Sequence, residues 1–121
     1  GYRALEFDGT DDFFDVDFAA IPQPYTIIAV MQRRGSDNDA IYQSLNTGTG
    51  IYWSTTNNNW TWSAGDFENT GAGTGDKQLM LAYHDGASSE LRADGATLST
   101  TDVGNQDFDG ITIGSFPSSI E

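Results

Sequence analysis

Apolar and polar side chains alternate with period two along most of this chain, and turn signals interrupt the pattern at intervals of roughly eight to twelve residues. Successive side chains of an extended strand point to opposite faces, so such alternation builds sheets with one apolar face. No apolar stripe at helical spacing persists over about ten residues. Short strands broken by frequent turns must pack face to face to bury their apolar sides, and the expected class is all-β, an antiparallel β-sandwich of jelly-roll type.

The segments follow in order. Ala4-Leu5-Glu6-Phe7 alternates, with Leu5 and Phe7 on one face, and stops at Asp8-Gly9-Thr10. Phe14, Val16 and Phe18 share the next face, and Ile21-Pro22-Gln23-Pro24 is an extended connector because proline disfavours helix for the residue before it. Tyr25 to Arg33 is the most apolar stretch and reads as a central strand covered on both faces. Ala40 to Leu45 is a further strand. Ile51–Thr55 and Trp60–Ala64 form a hairpin around Asn57-Asn58-Asn59, since Asn tolerates the positive φ of a tight reversal. Asp66 to Asp76, rich in Gly and Thr, reads as a loop. Lys77–His84, Ser89–Ala93 and Ala96–Ser99 return to strand, the last two around Asp94-Gly95. Thr101 to Asp109 is loop, and Gly110–Phe116 is the final strand, with Ile111 and Ile113 facing inward.

Residues 1–121 fit one domain and leave no room for a second. Eighteen acidic against five basic residues give a net charge of −13, which repels phosphate backbones and anionic bilayers, so neither nucleic acid nor an anionic membrane surface is an expected partner. The longest apolar run, Ile27 to Met31, is too short for membrane insertion. Without cysteine there is neither a disulfide nor thiol chemistry.

Five segments in order resemble the laminin-G-like branch of the concanavalin-A-like lectin/glucanase superfamily: Ala4 to Phe13, Pro24 to Val30, Leu79 to Gly86, Ser89 to Gly95, and Gly110-Ile111-Thr112-Ile113-Gly114. The resemblance implies a carbohydrate-binding or adhesion setting, extracellular, at a cell surface or in a phage virion. Members of that family usually carry one more strand after the Ile-Thr-Ile-Gly segment. Here Ser118-Ser119-Ile120-Glu121 closes the sequence, so the expectation is a fragment of a larger protein or a strand-donating partner chain.

Three chemistries bear on the function of such a chain. Related jelly rolls include glycoside hydrolases with Glu-x-Asp-x-x-Glu on one strand, and paired carboxylates are what glycoside hydrolysis needs. Glu6, Glu68, Glu90 and Glu121 are scattered instead, and His84 is the single histidine, so catalysis is not expected. Calcium takes oxygens from loop carboxylates, which makes Asp8, Asp11, Asp12, Asp107 and Asp109 a candidate Ca2+ site if their loops converge. Sugar rings stack on aromatic faces, which makes Trp53, Trp60 and Trp62, beside Asn58, a candidate glycan platform. The expected function is a noncatalytic binding or adhesion module for glycans or a neighbouring protein. The alternatives are a structural virion component, decoration or tail, that pairs through an open sheet edge, and a fragment of a carbohydrate-active enzyme.

Overall fold

A computed structural model describes residues 3–7, 12–33, 39–45, 47–54, 58–72 and 76–114. Ten strands are formed: β1 Phe14–Val16, β2 Tyr25–Met31, β3 Asp39–Gln43, β4 Thr49–Ser54, β5 Asn59–Ala64, β6 Phe67–Ala72, β7 Gln78–His84, β8 Ser89–Ala93, β9 Ala96–Thr101 and β10 Ile111–Ile113. They make two antiparallel sheets, one of six strands in the order β1-β10-β3-β4-β5-β6 and one of four in the order β2-β7-β8-β9. The all-β sandwich that the alternation implies is the architecture observed.

Two hairpins set the frame, and both need positive φ at their turns. Asn58 has φ +51° between β4 and β5, and Asp94 and Gly95 have φ +51° and +85° between β8 and β9. Asn, Asp and Gly adopt this conformation at the least cost, which is why they occupy these turns.

The core lies between the sheets. Trp53 and Trp60 are directly opposite on β4 and β5, as are Ile51 and Trp62, and all four face inward. Met80, Ala82, Leu91 and Ala93 close the core from β7 and β8. The long segment between β9 and β10 crosses the open end of the sandwich and adds Val103 and Phe108 to the same core. Backbone bonds from Ala64 and Asp66 to the Val103 carbonyl hold it there.

Three expectations change. The Gly- and Thr-rich stretch after Asp66 contains β6, an edge strand held to β5 by polar groups. Thr70 Oγ1 donates to the Trp60 carbonyl at 2.9 Å, and Asn59 Nδ2 donates to the Thr70 carbonyl at 2.7 Å. Ala4 to Phe7 is not a strand, and Leu5 is exposed. Most consequentially, β2 is not central: it pairs with β7 alone among the described residues and forms the edge of the four-stranded sheet.

The two sheets differ in width. β7 lies across from β5, where the ring of His84 is 5.4 Å from that of Trp62 and Trp60 Nε1 donates to Gln78 Oε1 at 3.1 Å. β9 approaches β6 at one side. At the other side the six-stranded sheet extends past β2 by at least two strands, or roughly 10 Å or more at about 4.8 Å per strand. Phe14 and Val16 lie opposite Ile113 and Ile111 and share their core-directed face, yet they remain 49% and 40% exposed. The inner face of β1 has no sheet above it among the described residues.

Candidate functional site

The aromatic cluster does not form a platform. Trp60 and Trp62 are 0% exposed and Trp53 is nearly as buried. Their burial has a simple cause. Cross-strand pairing puts Trp53 against Trp60 at 4.9 Å in an edge-to-face contact, and that face is the one turned to the core. The sequence could place Trp60 and Trp62 on one face but could not say which. Asn58 is exposed at the hairpin tip, separated from any stacking surface these rings could have offered.

The described candidate calcium ligands are not brought together either. Asp8 and Asp11 lie outside the described residues. Asp12 precedes β1 and Asp107 and Asp109 precede β10. Because β1 and β10 run antiparallel, with Phe14 opposite Ile113 and Val16 opposite Ile111, Asp12 stands at one end of that ladder and Asp109 at the other. Among the described residues no group of three or more His, Asp or Glu is placed to hold a metal ion.

His84 is a core residue. It is 0% exposed, stacked on Tyr25 and tilted against Trp62, and neither ring nitrogen has a hydrogen-bond partner among the described residues. Burial pushes its pKa down to about 4, so the ring is neutral near pH 7. A solvent-borne substrate does not reach it in this fold. Tyr42 is likewise enclosed, and burial raises its phenol well above the usual range.

What does collect at the surface is a sheet edge that the sequence pattern hid. On β2, Tyr25, Ile27, Ala29 and Met31 turn toward the core, while Thr26, Ile28 and Val30 turn outward. Ile28 and Val30 are 64% and 69% exposed. They lie opposite Leu81 and Leu79 of β7, so four aliphatic side chains form one outer patch. The rest of that face is polar and satisfied within itself. Arg92 Nε is 2.9 Å from Glu90 Oε1, and Thr97 donates to the same carboxylate at 2.7 Å. The Arg92 guanidinium and then the Thr97 hydroxyl hold the Glu90 carboxyl below its ordinary pKa.

The direction of the β2 backbone groups follows from its neighbour. The Leu79 carbonyl accepts from the Asp94 N–H at 2.9 Å, and the Leu79 N–H donates to Asp94 Oδ1 at 2.9 Å, so Leu79 addresses the β8 side. In an antiparallel ladder a residue directs both backbone groups to the same side, alternating along the strand. Met80, Ala82 and His84 therefore bond to β2, and Leu79, Leu81 and Tyr83 bond away from it. Their opposite numbers Val30, Ile28 and Thr26 consequently point N–H and C=O out of the sheet. Each of these residues thus presents an unused donor, an unused acceptor and an exposed side chain, among the described residues.

The sequence does not reveal this combination, because two-faced apolarity normally marks a central strand. Comparisons with protein-family models, with curated proteins and with solved structures return no match for this chain.

Proposed function

We propose that this domain is a noncatalytic binding module that takes up an extended segment of a neighbouring protein as an added strand beside β2. The observation that carries the reading is the pairing of exposed Ile28 and Val30 with backbone groups directed out of the sheet. Soluble proteins generally blunt an edge with charge, proline or a bulge, and β2 has none of these between Tyr25 and Met31. Strand addition draws affinity from main-chain hydrogen bonds and specificity from alternate side chains, and β2 offers both. The glycan branch of the expectation loses its support with the burial of the tryptophans. The setting at a cell or virion surface, and the kinship with laminin-G-like domains, rest on the sequence resemblance alone.

The test uses the N–H geometry. In the folded domain the amides of Thr26, Ile28 and Val30 exchange with solvent deuterium quickly, and those of Ile27 and Ala29 slowly. Peptides selected from a displayed library of extended sequences bind the domain and lose binding to Ile28→Pro, which removes an outward donor while sparing the β2–β7 ladder. Slow exchange at Thr26, Ile28 and Val30 in the unliganded domain, or selected peptides indifferent to Ile28→Pro, would refute the proposal.

A further inference from the structure

The strip beside β2 sets the chemistry of the segment that enters it, an inference that rests on the strand-addition reading above. An added strand continues the narrower sheet over the inner face of β1 and β10. Its inward side chains then meet Phe14 and Val16, which are exposed, and Ile111 and Ile113, which are half-buried. That floor is wholly apolar, and covering it stabilises the complex only if every second residue of the incoming strand is a large apolar one.

The margin of the strip is anionic. Asp12, Asp15 and Asp17 are all exposed along and around β1. Asp15 turns to the outer face, where it accepts from Thr112 Oγ1 at 2.6 Å. Two of the cations are engaged elsewhere: Arg92 is paired with Glu90, and the Arg33 guanidinium lies 4.6 Å from the centre of the Trp53 ring. Lys77, next to the residue opposite Met31, is the cation closest in register to the β2 end. A second copy of the chain is a poor occupant, because it would bring another −13 to a surface already negative.

We infer that the occupant is an extended segment of a different protein, with large apolar residues at alternate positions and Lys or Arg at its ends. The basic ends meet Asp12 and Asp17, which are exposed beyond the two ends of β1, and the alternating core fills the space between β2 and the overhanging sheet. Charge complementarity of this kind acts on association rate and partner choice.

The experiment uses the intact chain and three peptides with a core matched to the seven residues of β2. The first alternates Ile or Phe with Thr and has Lys flanks. The second keeps that core with Glu flanks. The third keeps the Lys flanks but takes the apolar residues out of alternation. Affinity is read by fluorescence anisotropy at low and high salt, and the Thr26, Ile28 and Val30 amides by hydrogen exchange.

The expected result is that the first peptide binds about ten-fold or more tighter than either other peptide at low salt. It protects the three amides, and its advantage over the Glu-flanked peptide shrinks as salt rises. Val16→Lys, at an exposed floor position, leaves the fold intact and weakens this peptide. Equal binding of Lys- and Glu-flanked peptides with the amides protected overturns the basic partner and leaves strand addition standing. Amides already protected before any peptide is added overturn the inference in favour of this chain's own residues, or of a second copy if the protection rises with protein concentration. Free amides and no binding by any of the three peptides overturn the strand-addition reading itself.

Discussion

The imidazole of His84 stacks on the phenol ring of Tyr25, with centroids 4.9 Å apart and planes 28° from parallel. Tyr25 opens β2 and His84 closes β7, so this pair pins one end of the edge strand to the core. The ring sits there without a hydrogen-bond partner among the described residues, and burial lowers its pKa from 6.5 to about 4. The unfolded chain therefore binds the proton first as pH falls. Stability from the neutral buried ring is complete above pH 6.5 and is lost as pH drops toward 4, by about 3 kcal/mol in all. Urea unfolding followed from pH 7.5 to 4 in the wild type and in His84→Phe reads this directly. The difference between the two proteins should grow across that window and level off below it. A parallel pH dependence in both would show that His84 is not the group responsible.

Trp60 combines a buried ring with one buried donor, and the two contributions separate by substitution. Trp60→Ala removes the ring from between Trp53 and the opposite sheet and should cost about 3–5 kcal/mol. That approaches the whole stability of a domain this size, so a molten or unfolded protein is expected. Trp60→Phe keeps most of the packing but strands the Gln78 side-chain oxygen that accepts from Nε1, at about 1–3 kcal/mol. Trp60→Phe with Gln78→Leu should recover part of that loss. Thermal melts of the three variants check the order, and recovery absent from the double variant would argue against the bond's importance.

Much of the fold was legible because alternation determines faces without knowledge of partners. Ile111 and Ile113 turn inward as their spacing requires, and Asp94-Gly95 makes the hairpin its composition announces. What alternation leaves undetermined is which face of a strand is the core face and where a strand sits in its sheet. The spacing of Trp60 and Trp62 puts them on one face but does not say that this face is the buried one. β2 is apolar on both faces, and the usual cause of that pattern, burial on both sides, points to a central place it does not occupy. β6 was hidden for the opposite reason. Its ladder is held by Asn59, Thr61, Asn69 and Thr70, residues whose polarity suits a loop as well as an edge. For the calcium candidates the missing information was topology, since only the antiparallel β1–β10 ladder reveals that Asp12 and Asp109 end up apart.

Gly104 holds the crossing segment that brings Val103 into the core. Its φ of +89° is unfavourable for other residues, and a Cβ there would run into the Ala64 carbonyl and crowd the Asp66 nitrogen. Those same two residues donate their N–H groups to the Val103 carbonyl, so any shift to relieve the clash loosens both bonds. Gly104→Ala should therefore cost at least about 1–3 kcal/mol. Gly86→Ala, at φ +51° with open space around it, should cost about 1 kcal/mol from backbone strain alone. The comparison isolates the steric part. Equal losses in denaturant titrations of the two variants would show that the segment around Gly104 adjusts freely.

Val30 shows how far the outer patch stands apart from stability. Its side chain is mostly exposed and its N–H and C=O point out of the sheet, so Val30→Lys removes little buried area and breaks no ladder bond. The expected change in folding free energy is within about 0.5 kcal/mol. The same substitution puts a charge at the centre of the one edge where Ile28, Val30, Leu79 and Leu81 gather, which is how natural sheets discourage unwanted pairing. At raised salt, where the chain's negative charge is screened, wild-type protein should show measurable self-association by light scattering and Val30→Lys should stay monomeric. A control substitution at Leu98, which packs partly against the core from β9, should do the reverse and lower stability without changing association. If Val30→Lys instead lowers the melting temperature as much as a Leu98→Ala change does, then the outward face of β2 is covered in solution and is part of the core rather than a surface held open for a partner.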